Sequence, residues 1–215
     1  MDGAILMAAK SHRAVILGTG GFAIELHALL SHAKYRVVGF AGPDERADLP
    51  APYLGDDSTI AQIDPSAALF VAIGDPATRR RLFDRLALAG RAASGFVHPA
   101  AYVAADAVIG AGAIVYPNAT VHGRVQLGTG VLVNSNATVG HECEIGAFCS
   151  INPGVALGGR IRMAAGTYVG IGAALVEEIT ICQGVVIGAG ATVTVDIDRP
   201  GTYLGTPARL TTQAA

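Results

Sequence analysis

From Val97 to Val193 an aliphatic residue or Met recurs at every sixth position without a slip. Val97, Val103, Ile109, Val115 and Val121 open the series; Met163, Val169, Leu175, Ile181, Ile187 and Val193 close it. Four places after each stands a second small or aliphatic residue, from Ala101 and Ala107 through Cys143 and Cys149 to Ala191 and Ile197. Neither the turn of a helix nor the alternation of a strand has this period. It predicts a hexapeptide β-helix: each hexad supplies one short strand, three hexads close a coil, and coils stack into a triangular prism. Seventeen hexads make between five and six coils.

The chain before this beat has another grammar. Ala14-Val15-Ile16-Leu17 reads as a buried strand closed by Gly18-Thr19-Gly20-Gly21, and Phe22 to Ala33 as a helix with Ile24, Leu26, Leu29 and Leu30 on its apolar face. Tyr35–Phe40 and Ala68–Ile73 are two further strands, and Ala77–Leu88 is a second helix stopped by Gly90. Alternating strands and helices predict a small parallel, Rossmann-like α/β domain. The expected organisation is a leader over 1–13, the α/β domain over 14–95, an all-β helix over 96–198 and a turn-rich tail over 199–215. Flat prism walls favour association into a closed ring, most simply a homotrimer.

Composition narrows the function. A formal net charge of -2 offers no electrostatic footprint for nucleic acid. No apolar run is long enough to insert in a membrane, and the first residues lack a secretory pattern. The three cysteines, Cys143, Cys149 and Cys182, lack disulfide-framework spacing. Cys143 and Cys149 fall in the small inward column and read as buried apolar groups, which suits a reducing cytoplasm.

Two motifs carry chemistry. The Gly18–Gly21 turn lies between a strand and a helix, where exposed amides attract phosphate. Ala23 stands where a dinucleotide fingerprint wants its third glycine, and Asp44 arrives late for the ribose. The turn therefore fits a nucleotide pyrophosphate better than a nicotinamide cofactor, or it is only a tight turn. The second motif is His141-Glu142, at a corner of the prism where packing does not require an imidazole. It reads as a general base with an adjacent orienting carboxylate, or as two surface residues side by side. His98 and His122 fall on different walls and His12, His27 and His32 read as solvated, so no three imidazoles converge as zinc requires. No metal is expected. The paired glycines of the later coils either make corners or leave a smooth groove for an extended ligand.

With these residues in place the chain resembles the bacterial NeuD/PglD-like sugar acyltransferases over about residues 13–210. Val139-Gly140-His141-Glu142-Cys143-Glu144-Ile145-Gly146 and Gly205-Thr206-Pro207-Ala208 carry the likeness most specifically. Within that family it is most similar to members that N-acetylate the 4-amino group of a nucleotide-linked 4-amino-4,6-dideoxy sugar, GDP-perosamine in particular, for lipopolysaccharide O-antigen. The resemblance implies a left-handed β-helix, a trimer with active sites between subunits, and acetyl-CoA as cosubstrate. It implies catalysis by His141 and Glu142, nucleotide-sugar contacts at Gly20, Gly21, Phe22 and Gly74, and coenzyme contacts at Gly159, Gly170 and Ile171. Gly42-Pro43 stands where relatives that use UDP-sugars carry paired aspartates. Ser150 stands where relatives often place a histidine near the coenzyme thiol, and is expected beside acetyl-CoA. Sugar O-acetylation, and nucleotide-sugar binding without catalysis, are the alternatives. A hexapeptide carbonic anhydrase fails on histidine spacing.

Overall fold

A computed structural model describes residues 12–211; most of the expected leader lies outside them. The first unit comprises β1 (Arg13–Leu17), α1 (Gly21–His32), β2 (Arg36–Ala41), a 3-10 turn (Asp57–Gln62), β3 (Ala68–Val71) and α2 (Pro76–Leu88). The strands pair in parallel with β1 central, in the order β2-β1-β3. The helices start where local chemistry allows. Gly20 caps α1 through its backbone alone, whereas the Asp75 carboxylate accepts from the Thr78 amide at 2.7 Å, and Pro76 opens α2.

From Phe96 onward the chain is a β-solenoid, a small α/β domain followed by coils consistent with a left-handed β-helix. Two-residue strands fall on three parallel sheets in strict rotation. Leu132 pairs with Ser150 and Ser150 with Tyr168, so one coil consumes eighteen residues. The inward column from Ala113 to Ile197 forms one continuous apolar core. Thr167 is its hydroxyl-bearing member, and it is satisfied by the Ala164 carbonyl at 2.9 Å. Cys143 and Cys149 are buried there too, their thiols on the carbonyls of Gly158 and Ala164. At the start of the prism the hexad rule gives no burial: Val97 is 42% exposed, because no coil precedes it. At the far end, Gly201–Leu204 is not a mere exit. It pairs in parallel with Val185–Ile187, and Arg209–Leu210 folds back antiparallel on it, adding strands to one wall.

From Gly112 to Gly190 each corner turns through a residue of left-handed backbone three places after the inward aliphatic one. Asn118, Arg124, Gly130, Asn136, Glu142, Phe148, Gly154 and Arg160 all show positive φ. Glycine adopts this backbone freely, and a side chain costs about 1–2 kcal/mol.

The α/β unit sits on the first wall. The outward residues Phe96, Ile114 and Leu132, one per coil, join Ile16, Leu26, Leu30 and Phe70 in a single core. Beside it Arg79, 3% exposed, reaches from α2 into the prism. Its Nε donates to the Gly130 carbonyl at 2.8 Å, and Nη1 to the carbonyls of Ile73 and Gly74. Nη2 meets the carbonyls of Phe148 and Cys149 and the Ser150 hydroxyl. Burial pushes the guanidinium down to about 10, so it stays charged at neutral pH.

Replacing Arg79 with Met strands these buried acceptors and should cost about 3–5 kcal/mol in urea unfolding. Lys, a point charge without the planar fork, should recover little of it. Wild-type stability in either variant would show that the joint does not depend on the guanidinium.

Candidate active site

His141 and Glu142 form the turn between the second wall (Thr138–Val139) and the third (Glu144–Ile145). The imidazole is not part of the core, and its side chain is 53% exposed in the single chain. Nδ1 lies 3.1 Å from Glu142 Oε2. The other oxygen, Oε1, is 2.6 Å from Arg124 Nη2, one coil earlier. Arg160, one coil later, places Nη1 3.7 Å from Oε2 and donates its backbone amide to the His141 carbonyl at 2.8 Å. The Glu142 carboxyl is held below the ordinary glutamate range, first by its bond to His141 and then by the charges of Arg124, His141 and Arg160, against the opposing effect of desolvation. It is therefore anionic at neutral pH. With Nδ1 engaged by a carboxylate, Nε2 is the nitrogen left to exchange a proton.

Gly159 makes room for the ring. A Cβ there would lie 2.6 Å from His141 Nε2 and 2.7 Å from Cε1. Its φ is not positive, so the backbone does not demand glycine; the imidazole above it does.

A second concavity opens in the α/β unit. Over the carboxyl ends of its strands lies a crevice of about 300 Å³, lined by Gly18, Gly42, Ile73, Thr78, Arg81 and Arg85 among others. This is the switch point of the sheet, where β2 and β3 leave the central strand on opposite sides. Gly18 is required by packing: φ is 129° and a Cβ would strike the Ala72 carbonyl oxygen at 2.7 Å. Around Gly20, Gly21 and Gly74, by contrast, a Cβ would meet nothing within 4 Å, so these glycines leave open space beside the backbone. Arg46 donates to the Thr19 carbonyl at 3.3 Å while paired with Asp48.

Known proteins share this fold. Residues 13–86 match the family model described as the PglD N-terminal domain. The acetyltransferase domain of PglB from Neisseria gonorrhoeae FA1090 superimposes with a TM-score of 0.87 at 31% identity, covering 93% of this chain and 100% of that one.

The chain belongs to the NeuD/PglD-like sugar acyltransferase family.

A second structure of the PglB domain holds acetyl coenzyme A. PerB from Caulobacter crescentus, solved with CoA and GDP-perosamine, is 26% identical with a TM-score of 0.69 over 94% of this chain and 98% of its own. WeeI from Acinetobacter baumannii AYE, at 21% identity and a TM-score of 0.82 over 93% and 100%, shares the fold. A search of curated protein sequences finds no match.

For an acyltransferase of this family, the expected site residues fall into three places. His141, Glu142 and Gly159 come together on one corner. Gly170 and Ile171 lie on another, after the first-wall strand Tyr168–Val169. Ile171 is 59% exposed, while Gly170 is buried where a Cβ would meet the Ala189 amide at 2.6 Å. Gly20 and Gly21 are exposed in the turn that opens α1, and the next residue, Phe22, packs across the joint against Tyr116 at 5.7 Å. Ser150 departs from expectation. Its side chain is fully buried in that joint, donating to the Gly74 carbonyl at 2.8 Å and accepting from Arg79, so it presents no surface to a coenzyme. Of the histidines read as solvated, His27 departs in part, since it is half-buried against Phe40, whereas exposed His32 stacks on buried His98. Among the described residues no group of three or more His, Cys, Asp or Glu is arranged to hold a metal. Sequence reasoning missed Arg81 and Arg85 in the crevice. The run Arg79-Arg80-Arg81 was the available signal, and a little over half a helical turn separates Arg79, in the joint, from Arg81, at the crevice.

Gly159→Ala should push the imidazole off its seat and break the Nδ1 contact with Glu142. Turnover should fall by about tenfold or more, with the melting temperature little changed. Wild-type turnover would mean that the ring position does not matter.

Proposed function

We propose that this protein transfers the acetyl group of acetyl-CoA to the 4-amino group of a nucleotide-linked 4-amino-4,6-dideoxy sugar, with GDP-perosamine as the substrate. The observation that carries the reading is the corner imidazole, bound through Nδ1 to an ionised carboxylate and seated over a glycine. The relatives solved with acetyl coenzyme A, and with CoA and GDP-perosamine, support the two substrates. Gly42-Pro43 at the end of β2 supports a base other than uracil, because no carboxylate stands there.

In the proposed reaction the neutral sugar amine attacks the thioester carbonyl, and His141 Nε2 takes the amine proton. The tetrahedral intermediate then expels the coenzyme thiolate, which receives that proton. Glu142 keeps the imidazole oriented and stabilises its protonated form. A backbone amide of a coil supplies the oxyanion donor. The nucleotide occupies the switch-point crevice, with Gly20, Gly21 and Phe22 toward its phosphates and Arg81 and Arg85 over it.

The site calls for a second copy of the chain. His141 and the coenzyme positions Gly170 and Ile171 stand on opposite edges of the same wall. That wall presents small outward residues, Thr120, Thr138, Ala156 and Ala174. A neighbour's prism laid against it brings one edge of each chain into a shared groove, and threefold closure repeats the groove identically.

His141→Asn should lower kcat by about 10²–10⁴ and leave fold and assembly intact. Thiol release and mass gain, measured with acetyl-CoA and a panel of GDP- and UDP-linked amino and hydroxy sugars, check both parts. One acetyl gained on the GDP-linked 4-amino sugar is the expected result. Near wild-type kcat in the Asn variant would refute the base, and transfer confined to hydroxyl acceptors would refute N-acetylation.

A further inference from the structure

The left-handed corner positions are not filled alike. On two of the three prism edges they carry Gly or Asn, with Phe148 as the exception: Asn118, Asn136, Gly154, Gly172 and Gly190 on one, Gly112, Gly130, Gly166 and Gly184 on the other. On the edge that bears His141 no such position is glycine. It carries Arg124, Glu142, Arg160 and Glu178, each with φ between 57° and 63°. Four successive coils thus hold a strained backbone under a charged side chain, and the charges alternate in sign. The eighteen-residue coil stacks them directly, and they pair in sequence. Arg124 reaches Glu142 at 2.6 Å, Glu142 faces Arg160 at 3.7 Å, and Arg160 reaches Glu178 at 2.6 Å.

Exposed ion pairs seldom repay such strain in stability, being worth about 0–1 kcal/mol each. Strain of this kind is retained where function uses it. Within this ladder a single member touches the imidazole. Glu142 gives one oxygen to Arg124 and turns the other toward His141 Nδ1. The charged groups facing Glu142 are His141, Arg124 and Arg160, and Glu178 in turn holds Arg160.

We propose that this charged column is a clamp for the base. Arg124 and Arg160, from the coils on either side, are positioning residues that fix the Glu142 carboxylate and, through it, the ring of His141. The proposal rests on His141 being the base, and the experiment separates the two.

The full-length protein is assayed with acetyl-CoA and the nucleotide-linked amino sugar. Arg124→Gln should lower kcat by about tenfold while both KM values stay within about twofold, and Arg124→Lys should restore most of the loss. Arg124→Gly relieves the backbone, so it should melt no lower than wild type yet lose kcat as the Gln variant does. In a Glu142→Gln background Arg124→Gln should have no further effect, because the arginine acts only through that carboxylate. Wild-type kcat in Arg124→Gln, the same kcat loss with and without Glu142, or lost stability in place of lost turnover in Arg124→Gly would each overturn the clamp. His141→Asn run alongside tells the failures apart. If it retains turnover, the base assignment falls and the clamp with it. If it loses turnover while Arg124→Gln does not, the clamp alone falls.

Discussion

The geometry of the molecule depends on one buried cation. Arg79 leaves the α/β unit and ends among oxygen atoms of both units, from Ile73 and Gly74 on one side and from Gly130, Phe148, Cys149 and Ser150 on the other. A buried guanidinium is costly unless every donor is used, and its planar fork can be satisfied only by acceptors held in fixed directions. The carbonyls at successive corners of a regular coil are such acceptors. The switch-point crevice is thereby set in a defined position relative to the prism, which two units joined by apolar contact alone would not guarantee.

The prism performs the second task, converting spacing along the chain into alignment in space. Residues eighteen apart lie one above another, so His141 sits over Gly159 and Glu142 lies between Arg124 and Arg160. A rigid, repetitive backbone is a good carrier for a base because a loop would have to order it at an entropic cost. The corner is also where side chains can leave the core while the backbone remains tied to both neighbouring coils, as the Arg160 amide and His141 carbonyl show.

Much of this was legible in the residue pattern. The six-residue beat announced the coils, the alternation before Gly95 announced the parallel sheet, and the His-Glu pair stood out because no wall needs it. The docking of the units was also written there. Phe96, Ile114 and Leu132 are apolar at outward places eighteen residues apart, a signal visible only once three hexads are taken as a coil. The role of Ser150 was not legible. Its place in the hexad said only that it faces outward from the first wall, and what covers that wall depends on how α2 is rotated. The Arg81–Arg85 face of the crevice was hidden for the same reason, since helix phase decides which arginine of the run is buried.

The central claim is that the corner imidazole meets the acceptor amine. A crystal structure of the assembled protein with CoA and the GDP-linked amino sugar tests it most directly. The account predicts the sugar nitrogen within about 3 Å of His141 Nε2, or joined to it through one water, with the nucleotide over the ends of β1 to β3. A sugar amine bound away from that ring, with the imidazole facing open solvent, would contradict it.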